Sequence, residues 1–351
     1  MDGLKPDTSV YALLNNQDEF KEALWQYVNR RVSDFRIITG KERAKEHAAL
    51  LNRIERDYGV DRYMMLSLWG NESSYGDVID NPKYMRPIIP ALAALAFGER
   101  RRRTYWEAEL LNALVIVERG WAQPKEMIGS WAGAMGHTQW MPEVWLNMGV
   151  DYHKNGRVFP FGKPDDAFAG TARFLVERGK YRRSEAWGCE VKVPPGLKIR
   201  RAGTHPYSKW REMGVTRADG APFARPGDTV QLKVPVDGGP AFLIGQNFKS
   251  IMSYNPAFSY ALAVCHLGDR IRGDGAFIHN FPGAEARIPT VAEVQEIQRR
   301  LTALGFDTDG SDGRAGRDTM KAIRQFQRKV SMEPADGYPG LAVLARLRKG
   351  A

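Results

Sequence analysis

Apolar residues recur at spacings of three and four through the first part of the chain. DEFKEALWQYVNRRV (18–32), GKERAKEHAALLNRIERDYG (40–59) and YWEAELLNALVIVERG (105–120) carry this period, the last stopping at Gly120. It predicts core helices. From Cys189 to Gly245 the texture changes: CEVKVP, DTVQLKVPV and PAFLIG are short β-prone pieces set among glycine and proline. They predict a small strand-rich insertion. NPAFSYALAVCHLGDRIRG (255–273) then returns to helix, so the strands interrupt a helical domain spanning residues 1–280.

FPGAEARIPT follows, and Pro282, Gly283 and Pro289 within it predict a linker over 281–289. Residues 290–351 read as a separate unit. Val294, Ile297, Leu301 and Leu304 form one helical stripe, Ile323 and Phe326 a second, and Leu341, Leu344 and Leu347 a third. DGRAGRDTMKAI and DGYPGLAVLARL echo each other, each with Asp-Gly, a turn and Gly before an apolar helix. A three-helix module with an internal pseudo-repeat is expected. The fold class is therefore mainly α (α+β): a helical core, a small β-rich insertion and a C-terminal helical module.

Composition narrows the class. With 351 residues, 43% hydrophobic, 26% charged and nine Trp, the chain is an ordinary globular protein of one large and one small domain. No apolar run reaches the roughly 18 residues of a membrane span, and the start, MDGLKPDTSV, has no charged-then-apolar targeting segment. Either the chain is cytosolic or such a segment has been trimmed. A net charge of +10 favours an anionic partner. Nucleic acid is the weaker choice, because basic residues are scattered among acids; the densest run, GERRRRTYW (98–106), reads as a solvated loop. Cys189 and Cys265 lack metal or redox spacing; a disulfide and two buried thiols both remain open.

One segment carries candidate chemistry. In SLWGNESSYG (67–76), Glu72 shares a helical face with Met65 and Leu68, Asp61 is the expected N-cap and Gly76 the expected stop. Partial burial and the helix's negative pole favour a protonated carboxyl there, the state a general acid requires. GSWAGAMGHTQWMPEVW (129–145) offers small residues, Ser130, Gln139 and aromatics; SIMSYNPAFSYALAV (250–264) offers Tyr254, Asn255, Ser259 and Tyr260; FAGTARFLVERG (168–179) offers Phe174. Aromatic platforms with amide hydrogen-bonders suit a polysaccharide cleft. Asp77 and Asp80 read as loop and cap residues.

SLWGNESSYG, GSWAGAMGHTQWMP and SYNPAFSYALAV, in this order, resemble the signature segments of the membrane-bound lytic transglycosylase B family, glycoside hydrolase family 103. Residues 290–350 resemble the peptidoglycan-binding module often appended to such enzymes. The resemblance implies a lysozyme-like core that cleaves the β-1,4 bond between N-acetylmuramic acid and N-acetylglucosamine, the muramic 6-hydroxyl closing a 1,6-anhydro ring. Glu72 matches the single catalytic acid/base. Ser130 and Gln139 match positions that contact the glycan or the catalytic Glu, and Tyr254, Asn255 and Tyr260 match the aromatic-amide wall around that acid.

Relatives are expected to carry an EF-hand-type calcium loop. Here DYHKNGRVFPFG (151–162) keeps Asp151, His153, Asn155 and Gly156 but has Gly162 where a carboxylate belongs, which argues against calcium. The six histidines show no metal spacing, and for His137 a structural or solvent role is expected ahead of contact with substrate. No cofactor is expected. No cysteine precedes Cys189 to form a lipobox. The expected protein is a periplasmic monomer whose partner is the peptidoglycan glycan strand, without nucleic acid or stable membrane insertion. The competing readings are a hydrolytic muramidase and a non-catalytic wall-binding scaffold.

Overall fold

The computed structural model describes residues 3–15, 22–197 and 203–350. Part of the helix predicted over 18–32 and residues 198–202 of the strand-rich insertion lie outside the described residues. In chain order the first elements are α1 (Val10–Asn15), α2 (Leu24–Arg31), α3 (Asp34–Glu46), α4 (Ala48–Tyr58), α5 (Arg62–Ser73), β1 (Arg86–Pro87) and α6 (Ile88–Gly98). Next come α7 (Arg103–Glu118), β2 (Ile128–Gly129), α8 (Pro142–Met148), α9 (Asp165–Glu177), β3 (Gly188–Lys192), β4 (Thr204–Pro206) and α10 (Tyr207–Glu212). The last are β5 (Thr216–Arg217), β6 (Thr229–Lys233), β7 (Ala241–Ile244), α11 (Gln246–Tyr254), α12 (Phe258–Arg272), α13 (Val291–Ala303), α14 (Arg317–Lys329) and α15 (Leu341–Arg348).

The chain divides into two compact units that do not follow the sequence blocks. The first comprises Met1–Lys21, Glu42–Ser184 and Ser250–Tyr254. Helix α6, IIPALAALAFG, is apolar on nearly every side and is therefore buried. It shares a core with Trp106, Ile116, Trp140 and Trp145. β1 pairs antiparallel with β2, Arg86 opposite Gly129, which ties the start of α6 to the segment leading into Ser130.

The second unit comprises Glu22–Lys41, Glu185–Lys249 and Asn255–Ala351. Its sheet runs β4-β6-β7-β3-β5, antiparallel throughout, with Leu243 of β7 between Cys189 of β3 and Leu232 of β6. Val191, Val230 and Leu243 pack around Trp210. Both cysteines are free thiols, Cys189 on β3 and Cys265 inside α12. Burial pushes the Cys189 thiol up to about 11, so neither is poised as a thiolate.

Helices α13, α14 and α15 bury Ile297, Leu301, Ile323, Phe326, Leu344 and Leu347 together. Leu304, expected in the first stripe, is exposed. Helix α13 ends at Ala303, so Leu304 is a cap residue that no longer follows the helical face. The pseudo-repeat has a physical basis in two buried glutamines. Gln298 accepts from Gly313 N (2.8 Å) and donates to Asp312 Oδ1 (3.1 Å). Gln327 repeats this, accepting from Gly337 N (2.7 Å) and donating to Asp336 Oδ1 (2.9 Å). Each Asp-Gly turn is thus fastened to the helix before it.

The segment predicted as a linker is packed within this unit. Phe281 is buried, and the Glu285 carboxylate caps α15 by accepting from Leu341 N (2.6 Å) and Ala342 N (2.9 Å). Trp25 of α2 meets Tyr338 edge-on at 4.9 Å. Asp34 accepts from Val291 N at the start of α13 (3.1 Å).

Candidate active site

Helix α5 is built to hold its last turn rigidly. Asp61 caps it, its carboxylate accepting from Tyr63 N (2.8 Å) and Met64 N (3.3 Å). From Met64 to Ser73 every residue is buried except Glu72, which is half-buried on the final turn. The helix stops two residues before the expected Gly76: Ser74, Tyr75 and Gly76 all adopt positive φ. Tyr75 thereby folds back over Gly70, where a Cβ would stand 2.5 Å from the tyrosine ring and displace it.

A second clamp comes from His137. The indole N–H of Trp69, one turn before Glu72, donates to His137 Nδ1 (3.0 Å). An indole can only donate, so Nδ1 is the acceptor and the ring proton is on Nε2, which donates to Gly162 O (2.7 Å). Burial holds the His137 pKa below its ordinary value, which favours this neutral tautomer. Ser73 Oγ donates to His137 O (2.6 Å). The turn bearing Glu72 is therefore fastened on both sides.

The Ser130–Trp140 segment folds as two tight reversals. Ser130 Oγ accepts from Ala134 N (3.1 Å), and Ser130 N donates to Ala134 O (2.7 Å). Met135 and Trp140 exchange backbone hydrogen bonds of 2.8 Å around the Gly136–Gln139 turn. Gly136 has φ +70, and a Cβ there would meet Pro160 O at 2.4 Å. Gln139 takes φ +53, an uncommon conformation for a side-chain-bearing residue, and its amide donates to Gly136 O (2.9 Å).

Tyr254, at the end of α11, donates its hydroxyl to Thr138 O, next to Gln139. Burial, and after it the negative charge of Glu72, raises the Tyr254 pKa, so the phenol is a neutral donor whose hydroxyl lies within electrostatic reach of the carboxylate. Behind it stands a ladder of polar side chains: Trp140 Nε1 donates to Thr171 Oγ1 (2.9 Å), which donates to Thr138 Oγ1 (2.9 Å). Phe174 meets the Tyr254 ring edge-on at 5.2 Å and is only 7% exposed. It supports Tyr254 from behind and offers no surface of its own. Asn255 and Tyr260 belong to the second unit. Asn255 is exposed and its Oδ1 accepts from Ala257 N ahead of α12 (3.1 Å); Tyr260 is 4% exposed.

Sequence reasoning missed Trp69, Ser73 and the Thr138–Thr171 ladder. Trp69 carried one signal, its position a single turn before Glu72; Thr171, 33 residues from Thr138, carried none.

The 151–162 loop does not suit a calcium ion. Asp151 accepts from Asn155 N (3.0 Å) and Gly156 N (2.8 Å), and Asn155 Oδ1 accepts from Arg157 N (3.2 Å). His153 replaces an oxygen donor and pairs with Asp165 (3.2 Å). The carboxylate that organises the loop is Asp166, outside the twelve-residue frame, accepting from Tyr152 N and Phe159 N (2.9 Å each). The oxygen set a calcium ion needs is incomplete.

The chain resembles characterised proteins over its whole length. The Transglycosylase SLT domain family profile matches residues 1–269, and a peptidoglycan binding domain profile matches residues 290–347. The chain is 36% identical to SltB3 from Pseudomonas aeruginosa, solved in complex with NAG-anhNAM-pentapeptide, covering 99% of this chain and 92% of that one with a TM-score of 0.75. It is 26% identical over 273 residues to the membrane-bound lytic murein transglycosylase B of Escherichia coli (strain K12), covering 77% of this chain and 72% of the relative. The Escherichia coli lytic transglycosylase Slt35, solved in complex with calcium, is 26% identical over 77% of this chain and 84% of its own, with a TM-score of 0.64.

Proposed function

The chain belongs to the Transglycosylase SLT domain family and is a peptidoglycan lytic transglycosylase; from that premise we propose that Glu72 is its single catalytic acid and base. The observation that carries this reading is the placement of Glu72: the one residue of Met64–Ser73 not buried, on a helix turn clamped by His137, within electrostatic reach of Tyr254.

The carboxyl proton goes to the oxygen of the bond between N-acetylmuramic acid and N-acetylglucosamine, that C1–O bond breaks, and the N-acetylglucosamine side leaves as an alcohol. The muramic 6-hydroxyl then attacks C1, and its proton returns to the Glu72 carboxylate. One bond breaks, one forms, the acid is regenerated and no water is consumed. A hydrolase commonly needs a second carboxylate to act as nucleophile or to activate water; here the nucleophile is already part of the sugar. Position at the C-terminal end of α5, beside the negative pole of the helix, suits a residue that must begin each cycle protonated.

Ser130 and Gln139, on their paired turns, and Asn255 and Tyr254 are the proposed glycan contacts. Phe174, buried against the Tyr254 ring, is proposed to hold that ring in place. Residues 290–351 are proposed as the wall-binding module, which raises the local concentration of the enzyme on its substrate. The enzyme acts as a periplasmic monomer on glycan strands.

Digestion of purified sacculi by the full chain and by Glu72→Gln tests the assignment. The parent releases muropeptides with 1,6-anhydro ends by mass spectrometry; Glu72→Gln loses on the order of 10²–10⁴ of the rate, the range for a positioned acid–base group. The two proton transfers are sequential, so their losses do not multiply. Reducing ends from the parent would make the enzyme a hydrolase, and a Glu72→Gln variant within tenfold of the parent would remove Glu72 from the chemistry.

A further inference from the structure

The arginine run at 100–103 forms the tip of a helical hairpin in the first unit, and what surrounds it is not an ordinary solvated loop. We propose that the α6–α7 tip is a peripheral docking point for an anionic phospholipid surface.

Phe97, the penultimate residue of α6, is 83% exposed, whereas Leu92, Ala94, Leu95 and Ala96 just before it are buried. Arg100–Arg102 form a short 3-10 turn and Arg103 opens α7, all four exposed. The turn is rigid: Glu99 accepts from Arg101 N (3.0 Å) and Arg102 N (2.8 Å) and from the Trp106 indole (3.2 Å). Arg102 lies over the rings of Tyr105 and Trp106, 4.3 and 4.9 Å from their centroids, and Arg103 pairs with Glu107 (2.7 Å). Arg100 and Arg101 have no salt bridge among the described residues. Along α7, Thr104, Ala108 and Leu111 continue as an exposed stripe at helical spacing, Leu111 being 62% exposed.

An aromatic that stacks on sugar needs a concave setting where neighbouring groups reach the hydroxyls. Phe97 stands instead at the exposed end of α6, three to six residues before four exposed arginines. That combination fits the boundary between lipid phosphates and acyl chains, arginines on the phosphates and the phenyl ring below them. The net charge of +10 adds long-range attraction. No helix among the described residues is long and apolar enough to cross a membrane, so contact is confined to the surface. Docking leaves the glycan-binding turns open: the start of α6 is tied through β1 and β2 to the segment leading into Ser130, and the 11 residues of α6 separate it from the tip by about 16 Å.

Cosedimentation of the full chain with vesicles of phosphatidylcholine, or of phosphatidylcholine with an equal part of phosphatidylglycerol, tests the proposal. Binding is expected only with phosphatidylglycerol and is expected to fall as salt rises. Arg100→Ala/Arg101→Ala weakens it about thirtyfold, roughly fivefold per arginine at an anionic surface, and Phe97→Ser weakens it about tenfold. Lys321→Ala/Arg328→Ala, which removes two exposed charges from α14, changes vesicle binding less than threefold, and the Phe97 and Arg100/Arg101 variants digest sacculi at the parent rate. Equal binding to both vesicles, tip variants that bind like the parent, or an α14 variant as weak as the tip variant would overturn the proposal. So would an Arg100→Ala/Arg101→Ala chain that keeps vesicle binding but loses sacculus digestion, since the tip would then be reading the wall.

Discussion

Trp69→Phe isolates the clamp on the turn that carries Glu72. The substitution removes the indole N–H that donates to His137 Nδ1 at 3.0 Å in a buried setting. His137 cannot repair the loss by moving its proton, because Nε2–H is committed to Gly162 O at 2.7 Å; a proton transferred to Nδ1 would abandon that bond. One buried acceptor is left unsatisfied, at about 1–3 kcal/mol. The smaller ring also leaves a void of roughly 40 Å³, worth about 1 kcal/mol. Together these come to about 2–4 kcal/mol. Because the chain has two compact units, a single global unfolding energy is a poor readout, and amide hydrogen exchange over residues 62–76 is the better assay. The expected acceleration is about 30- to 700-fold at roughly 1.4 kcal/mol per factor of ten. Sacculus digestion falls about tenfold or more at temperatures where the variant stays folded, because a displaced carboxylate meets the glycosidic oxygen poorly. Exchange within about fivefold of the parent together with full activity would refute the clamp.

Two further predictions concern the second unit. His266 is buried against Phe277, ring centroids 3.8 Å apart, and burial followed by the charge of Arg270 depresses its pKa to about 3. The unfolded chain therefore takes up a proton near pH 6.5 that the folded chain refuses until about pH 3, so stability present above pH 6.5 is lost as pH falls. Asp269, raised to about 6 by burial, works in the opposite sense between about pH 6 and 4, so the steepest loss in thermal melts is expected below pH 4, and His266→Gln should flatten it; an unchanged pH profile in that variant would exclude His266. Gln298→Leu leaves the Gly313 amide without its acceptor and also removes the two amide hydrogens shared among acceptors on Asp312, Arg314 and Thr319, each 3.1 Å away. Exchange in 308–319 should accelerate by at least about tenfold, with the Gln327 turn unaffected; protection equal to the parent would mean the turn holds itself.

Much of this protein is written in signals that span one helical turn. The three-and-four period marked α4, α7 and α12, the alternating pieces marked β3, β6 and β7, and Asp61 announced the start of α5, because caps and periodicity act between residues that are neighbours in the chain. The same locality made the Asp-Gly echo visible at 312 and 336. What the chain order could not contain was decided between distant residues. Trp69 and His137 are 68 positions apart, Tyr254 and Thr138 are 116 apart, and Asp166 organises the loop before it from outside the expected frame. Phe174 and Tyr260 look from their residue types like cleft aromatics, yet the packing of α9 and α12 turns them inward, and Leu304 faces outward because α13 stops one residue early. The division into two units joins residues 22–41 and the sheet to the C-terminal helices through contacts such as Trp25 with Tyr338 and Asp34 with Val291. A local pattern can fix which face of an element is apolar; which partner buries that face, and which polar atoms meet across the gap, depends on the closure of long loops, and only the folded chain settles it.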